Sequence, residues 1–205
     1  LPQRGLRWYA VDALPHREPD GSTRWYGFCN DVTVSRLAQE ALSRQHQMLA
    51  AVQQAQSAFI ESEDKRSAFA GLLVTLLSVT GSEYGFVGEV LFDMREQPYL
   101  KTHAISNIAS DETSRRVHDE QLESGMVFRN LQTLFGHALR TGETVIANDP
   151  AHDPRAGGLP SGHRPLNAFL GVPLTVGDRL VAMVGLANQP GGYSQADVEF
   201  LQPLL

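Results

Sequence analysis

Apolar positions along the chain change period several times, and each change marks an element. In 6–16 and 22–30, aromatic and β-branched residues flank the turn-forming run PHREPDG, which predicts an antiparallel hairpin. Two strands do not fold alone, so this hairpin needs a cover. From 34 to 61 there is neither Pro nor Gly, and Ala, Gln, Leu and Arg dominate, which predicts one long helix. Along it Ala38, Gln45, Val52 and Phe59 recur every seven residues, as do Leu42, Leu49 and Gln56. The two series form a heptad seam whose larger apolar members are Leu42, Leu49, Val52 and Phe59. It fits a parallel dimer, and it fits equally a single amphipathic helix lying on its own domain.

A second helix is expected over 62–79, with Phe69, Leu72, Leu73, Leu76 and Leu77 on one face and Gly81 closing it. Residues 84–93 and 99–108 alternate like strands, and 110–121 is polar enough for an exposed helix. Phe128, Leu131, Phe135 and Ala138 form a stripe that predicts a helix over 128–140, before Gly142. A strand at 144–148 leads into a polar loop, and two apolar strands then flank the turn Gly177-Asp178. The last helix opens at Ser194, with Asp197 three residues on as a capping box. This order predicts an α+β fold, an antiparallel sheet with helices on its faces, preceded by a β-hairpin and a long helix.

The strand expected over 166–176 carries the clearest hint of a site. Leu166, Ala168, Leu170, Val172, Leu174 and Val176 point to one face; Asn167, Phe169, Gly171 and Pro173 point to the other. An amide, a ring and a residue without a side chain make room for a flat ligand stacked on Phe169 and hydrogen-bonded by Asn167. The bland alternative is that helix 128–140, with Phe128 at its start, fills that space.

Beside this face the loop supplies Asn148, Asp149, His152, Asp153, Arg155, His163 and Arg164. Arg155 or Arg164 could clamp a carboxylate or phosphate, and His163 could bind an anion when protonated. Asn148-Asp149-Pro150 equally well starts a turn through side-chain to backbone hydrogen bonds. His152, Asp153 and His163 lack the helical spacing of a metal site, so no metal ligand is assigned. No serine elbow, phosphate-binding glycine loop or carboxylate pair stands out, so no catalytic residue is assigned either.

Charge and composition narrow the partners. A formal net charge of −6 and no basic stripe argue against nucleic acid and against an anionic membrane surface. A single cysteine, Cys29, excludes an internal disulfide and every multi-cysteine zinc site, and suits a cytoplasmic protein. The chain opens at Leu1 inside a strand-like pattern, as a segment of a longer protein would.

The run NDPAHDPRAGGLPSGHRPLNAFLGVPL followed by GLANQPGGYSQADVEFL resembles the second half of a GAF domain, a small-molecule sensing and dimerisation module of bacterial signalling proteins. The likeness extends by pattern over about 47–205. The run GLRWYAVDALPHREPDGSTRWYGFCNDVTVSRLAQEAL resembles the last two strands of a PAS domain, with Asp31-Val32-Thr33 in place of its exit motif. Together these resemblances imply a PAS remnant at 1–34, a helical and dimeric connector at 35–61, and a GAF domain at 62–205. In ligand-binding GAF domains the region matching Asn148, Asp149, the loop after them and Phe169 lines the pocket.

Known GAF chemistries fail on residues. The cyclic-nucleotide class carries an Asn-Lys pair that this sequence lacks. Bilin attachment and methionine sulfoxide reduction need cysteines in the domain, and Cys29 lies outside it. Haem would have to use His103, His118 or His137, each more simply a surface or packed residue. The cofactor is therefore unknown. The resemblance implies a sensory segment that binds a small molecule, forms a homodimer and passes its signal to a histidine kinase or cyclic-di-GMP domain. The alternatives are a ligand-free dimerisation spacer, or an enzyme acting through the loop from His152 to His163.

Overall fold

In the computed structural model, residues 6–61, 65–106, 125–159 and 162–205 are described. They fall into two compact units, residues 1–49 and 50–205. No helix among them is long and apolar enough to cross a membrane.

The first unit is the expected hairpin, β1 (Tyr9–Arg17) and β2 (Thr23–Asp31), in one unbroken antiparallel register from Tyr9↔Asp31 to Arg17↔Thr23. Its turn closes through Glu18 N–H donating to the Ser22 carbonyl, with the Asp20 carboxylate accepting from Ser22 N–H. The Asp31 carboxylate accepts from Thr33 N–H at the start of helix α1 (Thr33–Glu61), and Arg7 donates to the same carboxylate. The guanidinium of Arg36 sits 4.8 Å over the Trp8 ring. Trp8, Tyr9, Val11, Leu14, Trp25, Tyr26 and Phe28 are all exposed, because two paired strands have too little surface to bury both of their faces.

The second unit is built on a six-stranded sheet in the order β5-β4-β3-β8-β7-β6, with every neighbouring pair antiparallel. Its strands are β3 (Tyr84–Phe92), β4 (Pro98–Ile105), β5 (Val127–Phe128), β6 (Val145–Ala147), β7 (Phe169–Val176) and β8 (Arg179–Ala187). Helix α2 (Lys65–Thr80) packs on one face, where Phe69 stacks on His103 with ring centroids 4.8 Å apart. Helix α3 (Leu134–Thr141) lies on the other, over Leu100, Val145, Phe169 and Met183. The chain closes with α4 (Gln195–Leu201) and a short 3-10 turn, Gln202–Leu204. The mixed α+β class and the GAF-like sheet follow the sequence reading.

Two local readings are corrected. The helix expected over 128–140 starts only at Leu134, and Phe128 sits on the two-residue strand β5 opposite Leu100. Asn130 and Thr133 explain the break. The Asn130 side chain accepts from Gln132 N–H, and the Thr133 hydroxyl caps the helix by accepting from Gly136 N–H, so the five residues between strand and helix are not helical. The strand expected over 166–176 begins at Phe169, and its far end runs into solvent, with Val176 72% exposed beside the Gly177-Asp178 turn. Leu166 therefore precedes the strand, and it packs on the α3 side together with Phe169. The capping carboxylate of α4 is as expected: Asp197 accepts from both the N–H and the hydroxyl of Ser194. The helix expected over 110–121 lies outside the described residues.

Candidate functional site

Among the described residues, the sheet face under α3 is not filled by side chains. A cavity of about 980 Å³ opens there, at the upper end of the usual range for ligand sites, roughly 300–1,000 Å³. Its floor comes from strand register. Phe86 on β3 pairs with Gly185 on β8, which pairs in turn with Gly171 on β7. A Cβ on Gly185 would lie 2.3 Å from the Phe86 ring, and one on Gly171 would lie 2.8 Å from the Phe169 ring. Two aromatic rings thus occupy space that side chains on these two glycines would need.

The walls follow from the same registers. The β3–β4 pairing shifts between Val87 and Gly88, so that Leu100 opposite Val90 and Ile105 opposite Phe86 reach the same face although five residues apart. Both line the cavity. Phe128 stacks toward Phe86 at 6.2 Å and meets Phe135 edge-on at 5.6 Å. Thr133, Leu134 and Phe135 bring the first turn of α3 to the wall, and Arg129 stands at the exposed rim, its guanidinium 4.1 Å over the Tyr99 ring.

The loop after β6 forms the remaining side. Tyr84 donates its hydroxyl to the Pro165 carbonyl, and His163 meets the Tyr84 ring edge-on at 5.7 Å. Burial pushes the Tyr84 phenol up to about 12, with the Glu83 charge adding to it, so this hydroxyl keeps its proton at neutral pH. Arg155 locks the loop from within. Its Nε and Nη2 form a fork onto the Asp153 carboxylate at 2.9 and 2.7 Å, and Nη2 also donates to the Ile146 carbonyl. The Arg155 hydrogen bond, ahead of its charge, holds the Asp153 carboxyl below the usual carboxylate value.

Of the residues singled out from sequence, Phe128, His163 and Phe169 line the cavity. Asn148 and Asn167 border a separate polar recess with Glu83 and Asn188. Asn148 fastens two segments: its Nδ2 donates to the Tyr193 carbonyl and its Oδ1 accepts from Tyr193 N–H. Asp149 is exposed and pairs with the ring of His152. Arg155 is engaged by Asp153 within the loop. Among the described residues no three His, Cys, Asp or Glu side chains converge as a metal site would require. In α1, Leu42 and Leu49 are exposed and Val52 is half-buried, while the Phe59 side chain lies outside the described residues.

The sequence did not single out Phe86, Phe135, Arg129, Thr133 or Gly185 as lining residues. Gly171 was noted as side-chain-free space, but Gly185 gave no signal without the register that brings it under Phe86.

The comparisons with known proteins agree with this architecture. The family model described as GAF domain matches residues 62–205, and the chain belongs to that family. It is 32% identical over 128 residues to the methyl sulfide methyltransferase-associated sensor of Methanosarcina acetivorans, a match that spans 62% of this chain and only 12% of that protein. Among solved structures, it resembles the GAF domain of a phosphoenolpyruvate-protein phosphotransferase from Coxiella burnetii, with a TM-score of 0.60 at 14% identity over 76% of this chain and 86% of that one. The free methionine-R-sulfoxide reductase of Neisseria meningitidis, solved with its substrate, gives 0.55 at 15% identity over 77% and 83%. At these identities the structural matches show the fold alone.

Proposed function

We propose that this chain is a sensory segment whose GAF domain binds a small molecule in the cavity between α3 and the sheet. The observation that carries the reading is an aromatic-walled space of about 980 Å³ with Phe86 and Phe169 in its lining, packed against the side-chain-free Gly185 and Gly171. A domain serving only as a spacer gains nothing by keeping such a space, because open apolar volume forfeits packing energy. The similarity to a protein named as a sensor supports the same direction.

The finer assignment extends this reading. Residues 1–34 are the end of a PAS domain, 35–61 a connector that pairs as a parallel dimer through Leu42, Leu49, Val52 and Phe59, and 62–205 the GAF domain. The protein works in the cytoplasm, catalyses nothing in this segment, and biases an output domain of the histidine kinase or cyclic-di-GMP type. Ligand energy reaches that output only as the difference in affinity between two helix arrangements.

Native mass spectrometry of the gently purified chain tests both parts in one spectrum. A dimer with added mass supports the sensor. A bare dimer, together with no binding across a small-molecule library, moves the reading to a dimerisation spacer. A monomer removes the connector assignment.

A further inference from the structure

At Tyr193 the end of α2, the start of α4 and the segment leaving β6 come together. Tyr193 and Ser82 are both buried, and burial pushes the Tyr193 phenol up to about 12, so its hydroxyl keeps its proton at neutral pH. The direction of the hydrogen-bonded chain it starts is fixed at the far end. Thr80, the last residue of α2, donates its single hydroxyl hydrogen to the Leu76 carbonyl at 2.7 Å, so its oxygen accepts from the Ser82 hydroxyl. The Ser82 oxygen in turn accepts from Tyr193 at 2.8 Å. On the other side, the Asn148 amide holds both the N–H and the carbonyl of Tyr193. Gly192 permits that approach, since a Cβ there would lie 2.6 Å from Asn148 Oδ1. One residue after Tyr193, Ser194 opens α4, and Gln189 ties the same turn to that helix by donating to Asp197. Two residues after Asn148, the buried Pro150 lines the cavity.

We propose that Tyr193 is a coupling joint. A disturbance of the cavity loop reaches the start of α4 through the backbone of Tyr193 and the end of α2 through its hydroxyl. The physical reason is that a buried hydroxyl pulled away from its partner finds no water to replace it, so neither end of the chain opens cheaply alone. Segments tied in this way open as one cooperative unit.

The test is hydrogen-exchange mass spectrometry of the full 205-residue chain and of three variants. Pro150→Gly frees the loop backbone just after Asn148, Tyr193→Phe removes only the hydroxyl, and the third variant combines them. Pro150→Gly is expected to speed exchange about threefold or more in 76–82 and in 194–201 as well as in the loop, with β7 and β8 as in the parent. In the Tyr193→Phe background the same loop substitution should add nothing further in 76–82, while 194–201 still responds because Asn148 continues to hold the Tyr193 backbone. Ser82→Ala breaks the chain one link further on and should reproduce the Tyr193→Phe pattern. If Pro150→Gly unfolds globally, Pro150→Ala carries the same comparison. An equal response of 76–82 with and without the Tyr193 hydroxyl overturns its role, and a response confined to the loop in the parent chain overturns the coupling altogether. No ligand enters any of these measurements, so their outcome is separate from whether the cavity binds one.

Discussion

The ring of Phe86 lies directly across Gly185, its partner on the neighbouring strand, so closely that a Cβ on Gly185 would sit 2.3 Å from the ring edge. The volume of the cavity depends on that missing methyl group. In Gly185→Ala the ring is expected to swing up into the cavity, displacing its stacking with Phe128. The expected cost is about 1–3 kcal/mol of stability with a larger proportional loss of ligand affinity. Chemical denaturation and probe titration on the same sample separate the two effects. Unchanged affinity in a folded Gly185→Ala protein would show that Phe86 does not set the floor.

Phe169 is expected to act on binding more than on assembly. Phe169→Ala removes the second floor ring, weakening an aromatic probe by about tenfold or more while leaving the oligomeric state as it was. Titration and light scattering check this pair of outcomes. The core contacts of Phe169 make some loss of stability certain, so affinity is measured well below the melting temperature of the variant.

Asp153 gives the loop a pH dependence whose sign is fixed by its pairing. Its folded-state value is lowered, chiefly by the Arg155 hydrogen bond, so the carboxylate contributes stability that is present above the unfolded value of about 3.9 and lost as pH falls through the lowered folded value. Asp153→Asn is expected to cost about 1–2 kcal/mol at pH 7. The gap between variant and parent should then close as the pH falls below about 4. Thermal melts across that range follow it, and a gap that widens at low pH contradicts the assignment.

Asn148 is expected to matter for stability and not for binding. Its amide makes two hydrogen bonds to the Tyr193 backbone, and Asn148→Ala leaves both backbone groups without those partners, at about 1–3 kcal/mol. Asn148→Asp keeps the acceptor but points a carboxylate oxygen at the Tyr193 carbonyl, and should be no better. If either variant binds a probe normally once folded, the polar recess around Asn148 stays a structural joint. A selective loss of binding would make it part of the site.

The helix seam is tested at Leu49. This side chain is 56% exposed in the single chain, so Leu49→Asp costs little in a monomer and places like charges together in a dimer paired through that position. Sedimentation should show dissociation with binding retained. A dimer that tolerates the substitution is held by some other surface.

The sequence revealed the frame of this fold better than its site, and particular residues show why. The gap-free stretch from 34 to 61 and the Gly177-Asp178 turn carry local signals that tertiary packing had no cause to override. Phe128 and Phe135 share a helical spacing by coincidence, and only the caps at Asn130 and Thr133 separate strand from helix. Phe86 was invisible as a wall residue because β3 is largely buried on both faces, which removes the alternation that tells one face from the other. Asn148 and Arg155 looked like ligand contacts because polar residues in a loop have the same composition whether they face a ligand or tie the loop to itself.

The lengths of the edge strands bear on how purified protein behaves. The described sheet ends in β5 and β6, only two and three residues long, which offer a neighbouring molecule almost no backbone to pair with. The hairpin is the reverse: two nine-residue strands, aromatic on exposed faces, with both outer edges running the full length of the pair. Aggregation in solution should therefore begin at β1 and β2. Shielding or shortening those two strands is the rational route to a sample concentrated enough for crystals or spectra.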